Sequence, residues 1–223
     1  INSPYGELLP EFALEIVRDV GFDGIWFDGA SFASSGNQCP GCLCEHCRKR
    51  FRDETGYDLP EKPDFESAAF RRWIDWRYDC LMEVWAGVVK RVHAEKPAAT
   101  ICFNIYRRMR GNVGAIWGTG IPMRKLGLDA LIAAELDWQP QTADFQMKMH
   151  RAYGCARGVE SWMGLSDRDL WPPDAQAEGL ELAAVGCAAA GGAASCGTDV
   201  MPGVAAPSLA AMQRAAAPLK PYA

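Results

Sequence analysis

Four cysteines fall within the run Cys39-Pro40-Gly41-Cys42-Leu43-Cys44-Glu45-His46-Cys47. Thiols at that density suit a tetrahedral zinc, which binds sulfur at about 2.3 Å and fills all four positions with protein ligands when its role is structural. The Cys-x-x-Cys pairs at each end have ligand-like spacing, the middle Cys-x-Cys is tighter, and His46 could replace one thiol. Two other readings stay open. One is a redox Cys-x-x-Cys, for which a thioredoxin-like context is lacking; the other is a set of thiols without metal.

Directly upstream, Gly24-Ile25-Trp26-Phe27-Asp28-Gly29 is a short apolar run that stops at an acid and a glycine. Such an Asp can simply cap the following turn. It can also be one of two carboxylates that cleave a glycosidic bond. Retaining glycosidases hold such a pair about 5 Å apart, one attacking the anomeric carbon and the other protonating the leaving oxygen. The attacking group stays ionised among hydrogen-bond donors, and the acid keeps its proton through partial burial. Asp28 suits the ionised role. Glu135, which closes Ala130-Leu131-Ile132-Ala133-Ala134, Asp137 and Glu160 are the candidate partners, and pairing with an arginine is the plainer reading of Glu135. Asn104, Tyr106, Trp138 and Trp162 lie at or just past the ends of apolar runs and are candidates to line a sugar subsite. Asp199 could contact a hydroxyl or cap a helix.

These residues need elements to hold them. Leu9, Phe12, Ala13, Ile16, Val17 and Val20 recur at helical spacing and predict a first helix, with Gly21 as its C-cap. Gly24 to Asp28 reads as a strand buried on both faces. A helix is expected around Glu45 to Thr55, then a long one from about Phe65 to Glu95 whose buried stripe is Phe70, Trp73, Ile74, Leu81, Val84, Val88 and Val92. Further strands are expected at Thr100 to Asn104, Leu128 to Glu135, Gly158 to Leu165 and Ala193 to Thr198. Between and after them, helices are expected at Ala143 to Ala156, Ala175 to Ala190 and Leu209 to Ala216. Strands alternating with helices indicate βα units and a parallel sheet. A doubly wound open sheet is the alternative, but no glycine-rich phosphate fingerprint follows a strand. Asp28, Asn104, Glu135, Asp137, Ser166 and Asp199 gather at C-terminal strand ends, where barrel enzymes build their sites. The fold class is therefore read as α/β, a partial (β/α)8 TIM barrel. The chain has 223 residues against about 250 for a complete barrel.

The net charge of −5 leaves no basic stripe for nucleic acid. Arg48, Lys49, Arg50 and Arg52 are followed at once by acids and read as a solvated helix face. No apolar run is long enough to span a bilayer. Of nine cysteines, Cys80, Cys102, Cys155, Cys187 and Cys196 stand singly in apolar segments and read as small buried hydrophobes. That usage favours a reducing, cytoplasmic compartment over a disulfide framework. Most of the eight tryptophans are expected in the core, although an indole face also suits a pyranose ring.

The order of Trp26-Phe27-Asp28-Gly29, the cysteine run, Arg48-Lys49-Arg50-Phe51-Arg52 and Thr55-Gly56-Tyr57-Asp58-Leu59-Pro60 resembles barrel glycoside hydrolases. It is similar to uncharacterised relatives of the family-42 β-galactosidases and to bacterial α-L-fucosidases. There, a strand-end catalytic carboxylate precedes a Cys-x-Cys-x-x-Cys loop and a helix bearing Phe-Arg. The Trp-Phe-Asp-Gly run itself resembles the nucleophile motif of family-29 α-L-fucosidases. The likeness is strong from about Gly21 to Pro60 and architectural beyond. It implies that Gly24 to Asp28 is the fourth barrel strand, that the other four are the fifth to eighth, and that the first three βα units are missing. On this reading residues 1–223 are the C-terminal portion of a barrel, with a zinc-like loop at 37–48 after the first strand. The chain departs from family 42 where Phe27-Asp28-Gly29 stands in place of an Asn-Glu pair. The resemblance implies a retaining exo-glycosidase of α-L-fucosidase-like type acting on oligosaccharides. Asp28 would be its nucleophile, Glu135 its acid/base, and zinc on Cys39, Cys42, Cys44 and Cys47 a structural staple with no organic cofactor. A β-galactosidase-like enzyme using Glu160 and a non-catalytic carbohydrate-binding or structural barrel stabilised by zinc are the alternatives. The expected partner is a carbohydrate, with no nucleic acid and no membrane; assembly into homo-oligomers through regions outside this chain stays open.

Overall fold

A computed structural model describes residues 1–28, 41–104, 127–135, 147–148, 151–152, 158–165, 181–182, 184–198, 213–214 and 217. For 134–135, 161–165 and 193–198 the description is of the backbone. The chain divides into two compact units, Ile1–Ala130 and Leu131–Ala223.

The first unit holds helix α1 (Tyr5–Arg18), strand β1 (Gly24–Phe27), helix α2 (Glu45–Thr55), helix α3 (Ala68–Glu95) and strand β2 (Thr100–Asn104). β1 and β2 run parallel with Gly24 opposite Thr100 and Phe27 opposite Phe103. Alternation along the strands sorts their side chains. Phe27 stacks on Phe103 at 5.1 Å, and Phe103 stacks on Trp85 of α3 at 4.4 Å. That face of the strand pair is therefore covered by α3. Trp26, Asp28, Cys102 and Asn104 belong to the opposite face, on which Trp26 is 38% exposed.

The core of this unit is aromatic. Phe70, Trp73, Trp76 and Trp85 are buried along α3 and Phe51 on α2, with Phe51 edge-on to Trp76 at 5.1 Å. Three of the four tryptophans with described side chains are thus core residues. The buried face of α3 is broader than a single stripe: Trp76, Arg77 and Tyr78 are buried in succession, while Ile74 and Val84 are half-buried. The Arg77 guanidinium lies over the Trp73 ring at 4.4 Å and near the Tyr78 ring at 5.1 Å. Cation–π contact partly offsets the cost of bringing a charge inside. Burial lowers the pKa of Arg77, against a smaller opposing effect of Tyr78.

Two helix boundaries differ from those expected. α3 begins at Ala68 because Asp64 turns the chain first, accepting the amides of Glu66 at 3.0 Å and Ser67 at 3.3 Å. The Ser67 hydroxyl then caps the helix by accepting the Phe70 amide at 3.4 Å. α1 runs earlier than its apolar spacing predicts. Its buried residues are Ala13, Leu14 and Val17, with Phe12 57% and Val20 64% exposed. Pro10 sits inside this helix facing Gly87 of α3, which turns the contact face toward positions 10, 13, 14 and 17. The Glu15 carbonyl accepts both the Asp19 amide at 2.8 Å and the Val20 amide at 3.2 Å, so the helix ends before Gly21. Gly21, at φ +89°, serves the turn into β1 instead of the cap. Lys96 closes this corner by donating to the Phe22 carbonyl at 2.7 Å.

The second unit holds parallel strands β3 (Leu131–Glu135), β4 (Gly158–Leu165) and β5 (Ala193–Thr198). Leu131 lies opposite Gly158 and Glu135 opposite Trp162; Glu160 lies opposite Ala193 and Leu165 opposite Thr198. β1, β2, β4 and β5 follow the expected ranges, with β1 one residue shorter; β3 begins at Leu131 rather than Leu128. Residues 147–148, 151–152, 181–182, 184–189 and 213–214 are helical, within the three segments expected to be so. Met147 and Cys187 are fully buried there. Among the described residues, no helix is long and apolar enough to cross a membrane.

Candidate functional site

Two groups of side chains converge in the first unit. One stands at the C-terminal ends of β1 and β2. Asp28 follows the last residue of β1 and is exposed, and Asn104 is the last residue of β2 and is buried. The Asn104 amide Nδ2 donates to Asp28 Oδ1 at 3.0 Å. Parallel pairing produces this meeting: with Phe27 opposite Phe103, the next residue on each strand falls at the same level and on the same face. A donor so placed fixes the orientation of the Asp28 carboxylate. Asn104, expected to touch substrate, is thus first a partner of Asp28.

The other expected site residues lie in the second unit or outside the description. Glu135 is the last residue of β3, level with Trp162 on β4. Glu160 is the third residue of the eight-residue β4, level with Ala133, and so sits deeper along the strand than Glu135. Tyr106, Trp138, Asp137, Ser166, Asp199 and Cys39 lie outside the described residues.

The second group is the cysteine cluster at the start of α2. The sulfurs of Cys42, Cys44 and Cys47 all lie within 4.8 Å of one another. Bonds of about 2.3 Å in a tetrahedron put neighbouring sulfurs about 3.8 Å apart, so the three thiols fit one metal with a small contraction. Cys44 occupies the N-cap position of α2. Burial opposes its ionisation, but the Cys47 amide, the Cys42 and Cys47 thiols and the His46 amide outweigh that and hold its pKa below the ordinary thiol value. Cys47, in the first turn of α2, is 1% exposed. Burial pushes its thiol up to about 12, against the Asn2 hydrogen bond. His46 is partly exposed and 3.8 Å from the Glu45 carboxylate.

Gly41 seats this loop. It adopts φ +115°, and a Cβ there would come within 2.9 Å of Trp73 Cζ2 and 3.8 Å of Arg77 Cδ. Only glycine meets both the dihedral and the close approach. The basic run behind the cluster is internally neutralised: Lys49 pairs with Asp53 at 2.5 Å, Arg50 with Glu54 at 2.7 Å, Arg48 with Glu61 at 3.1 Å, and Arg52 with Asp58. This is the solvated helix face expected from the charge pattern. Cys80, Cys102 and Cys187 are buried single thiols, as their apolar surroundings suggest. Burial pushes Cys80 up to about 11, opposed by the charge of Arg50 and the Asn2 amide.

Some partners had no sequence signal. Asn2 donates through Nδ2 to Cys47 Sγ at 3.4 Å across 45 positions of chain. Trp76 Nε1 donates to Glu54 Oε2 at 2.6 Å. Neither pair has a local spacing that would mark it.

No protein-family model matches the chain, and no curated protein matches it. Among solved structures it is similar to the PgaB (BpsB) glycoside hydrolase domain from Bordetella bronchiseptica, at 15% identity and a TM-score of 0.60. The match covers 96% of this chain and 62% of that one, so the chain spans less than two thirds of its neighbour. At this identity the likeness is one of fold: the mixed α/β arrangement with parallel strands is shared with a glycoside hydrolase domain.

Proposed function

We propose that the chain is the C-terminal portion of a (β/α)8 glycoside hydrolase, a retaining exo-glycosidase of α-L-fucosidase-like type acting on a carbohydrate. Asp28 is the nucleophile and Glu135 the acid/base. The observation that carries this reading is the pair at the ends of β1 and β2, where Asn104 donates to the Asp28 carboxylate at 3.0 Å. A nucleophile needs that support: it must be anionic at neutral pH and held in one rotamer as it approaches the anomeric carbon. The fold shared with a glycoside hydrolase domain supports the same reading. Glu135 is preferred to Glu160 because it ends its strand, whereas Glu160 lies in the lower half of β4. Tyr106, Trp138 and Trp162 would supply sugar contacts. Cys42, Cys44 and Cys47, with Cys39 as fourth ligand, would hold a zinc that fixes the loop after β1 and takes no part in bond cleavage.

In the first step the Asp28 carboxylate attacks the anomeric carbon while Glu135 gives its proton to the departing oxygen. In the second, Glu135 takes a proton from water, which releases the sugar from Asp28 with retained configuration. The test uses nitrophenyl glycosides, α-L-fucoside first. Asp28→Ala is expected to abolish turnover, with azide restoring it as a glycosyl azide of inverted configuration. Glu135→Gln is expected to lose about 10²- to 10⁴-fold on substrates with poor leaving groups and much less on dinitrophenyl glycosides. Turnover of wild type that persists unchanged in Asp28→Ala would remove the nucleophile assignment. Sugar binding without turnover in wild type would favour the non-catalytic barrel.

A further inference from the structure

The thiol cluster is bound to the start of the chain through one amide. Asn2 Nδ2 donates to Cys47 Sγ at 3.4 Å, and Asn2 Oδ1 accepts from Arg50 Nη1 at 3.0 Å. Arg50 is itself fixed on two further sides, by Glu54 at 2.7 Å and by Glu83 of α3 at 2.5 Å. The orientation of the Asn2 amide follows from chemistry. A guanidinium carries only donors, so the amide oxygen must face Arg50 and the NH₂ group must face the sulfur. The sulfur it meets is the most buried of the three and the one carried on α2 itself.

We propose that Asn2 is a positioning residue for the metal site, donating an N–H···S hydrogen bond to the Cys47 thiolate, with Arg50 locking the donor in place. This rests on the reading of Cys42, Cys44 and Cys47 as metal ligands. The reasoning is physical. A thiolate that binds a dication still carries excess charge, and a buried one has no water to take it up. A fixed amide donor stabilises that charge, orients the sulfur lone pairs toward the metal, and so raises affinity. The same contact secures the segment before α1 to α2 and α3, so that metal loading and docking of residues 1–3 reinforce each other.

Asn2→Asp is the informative substitution. It has almost the same shape and keeps an acceptor for Arg50, but it replaces the N–H donor with an oxygen that repels the thiolate. Asn2→Ala removes both bonds. The full chain is stripped of metal and titrated with Zn²⁺ against a chromophoric chelator, then with Co²⁺, whose sulfur-to-metal charge-transfer band reports on the thiolates directly. Wild type is expected to bind about one equivalent. Both variants are expected to bind about 10- to 100-fold more weakly, with the cobalt band moved to longer wavelength, because a thiolate deprived of its donor gives up its electron more easily. Denaturation of the metal-free proteins separates this from simple loss of packing, since Asn2→Asp is expected to leave metal-free stability near that of wild type. A wild type that takes up neither ion overturns the metal site, and this inference with it. A wild type that loads while Asn2→Asp matches it in affinity and band position overturns the role of Asn2 alone.

Discussion

Gly41 allows the seating of the cysteine loop to be measured against an internal control. Alanine at Gly41 would carry a backbone at φ +115° and place its methyl 2.9 Å from Trp73 Cζ2. Alanine at Gly56, the left-handed C-cap of α2 at φ +75°, would meet nothing within 4 Å. The second change therefore measures little beyond the dihedral, about 1 to 2 kcal/mol. The first adds a dihedral outside the left-handed helical well, worth about 1 to 3 kcal/mol, and a contact that the Trp73 ring cannot relieve cheaply. That ring is 1% exposed and lies between Phe70, stacked at 5.6 Å, and the Arg77 guanidinium at 4.4 Å. Overpacking of a filled core typically costs about 1 to 3 kcal/mol more. Gly41→Ala should accordingly lose about 2 to 6 kcal/mol, and Gly56→Ala about 1 to 2 kcal/mol. Urea denaturation of both variants, followed by tryptophan fluorescence, gives the two values in one assay. Equal losses at the two positions would mean that Gly41 does not press on Trp73, and that the loop is not seated on α3 in the way described.

Two further outcomes follow from side-chain pairs. On the proposed glycosidase reading, Asn104→Asp replaces the donor 3.0 Å from Asp28 with an acceptor, so turnover of nitrophenyl glycosides should fall by about 10- to 100-fold, the worth of one hydrogen bond to a charged group. Unchanged turnover in the variant would mean that Asn104 does not act through Asp28. Trp76→Phe removes the donor that holds Glu54 Oε2 at 2.6 Å. Burial raises the Glu54 pKa, but Arg50 and Trp76 outweigh it, so the folded-state pKa is depressed. Its contribution is then present above the unfolded value and lost as pH falls through the folded one. Because Glu54 is 43% exposed, solvent screening reduces this part to about 1 kcal/mol. The urea-measured loss in Trp76→Phe should therefore be larger at neutral pH than well below the ordinary carboxylate range; a pH-independent loss would mean the indole contributes packing alone.

The order of elements was legible because short, largely apolar strands of four to eight residues and a long amphipathic helix each leave a local pattern. The placement of faces was less so. Phe12 and Val20 match a helical stripe, yet both are exposed, because the direction from which α3 approaches is set by Pro10 against Gly87, a contact 77 positions away in the chain. Arg77 interrupts the apolar stripe of α3 in sequence and is nevertheless buried, since two aromatic rings accept its guanidinium. The cysteine cluster was readable because its thiols are local, so spacing encodes geometry. Asp28 was readable for its strand end, but its partner was not: only the register of β1 against β2 brings Asn104 to it, and register is a property of the folded pair.

The same distinction bears on what the thiol cluster can do for the strand end. Cys47 is fixed in the first turn of α2, and Gly41 rests against Trp73 of α3. α3 also carries Trp85, which stacks on Phe103, and Phe103 immediately precedes Asn104. The loop and the carboxylate pair are therefore attached to one helix through separate aromatic contacts, about three turns apart along α3. A metal on the thiols would act on the loop beside Trp73, whereas the Asp28–Asn104 pair is held at Trp85 and Phe103. That arrangement favours a structural role for the cluster: a change at the thiols reaches the Asp28–Asn104 pair through α3, along the chain of contacts from Trp73 to Trp85 and Phe103.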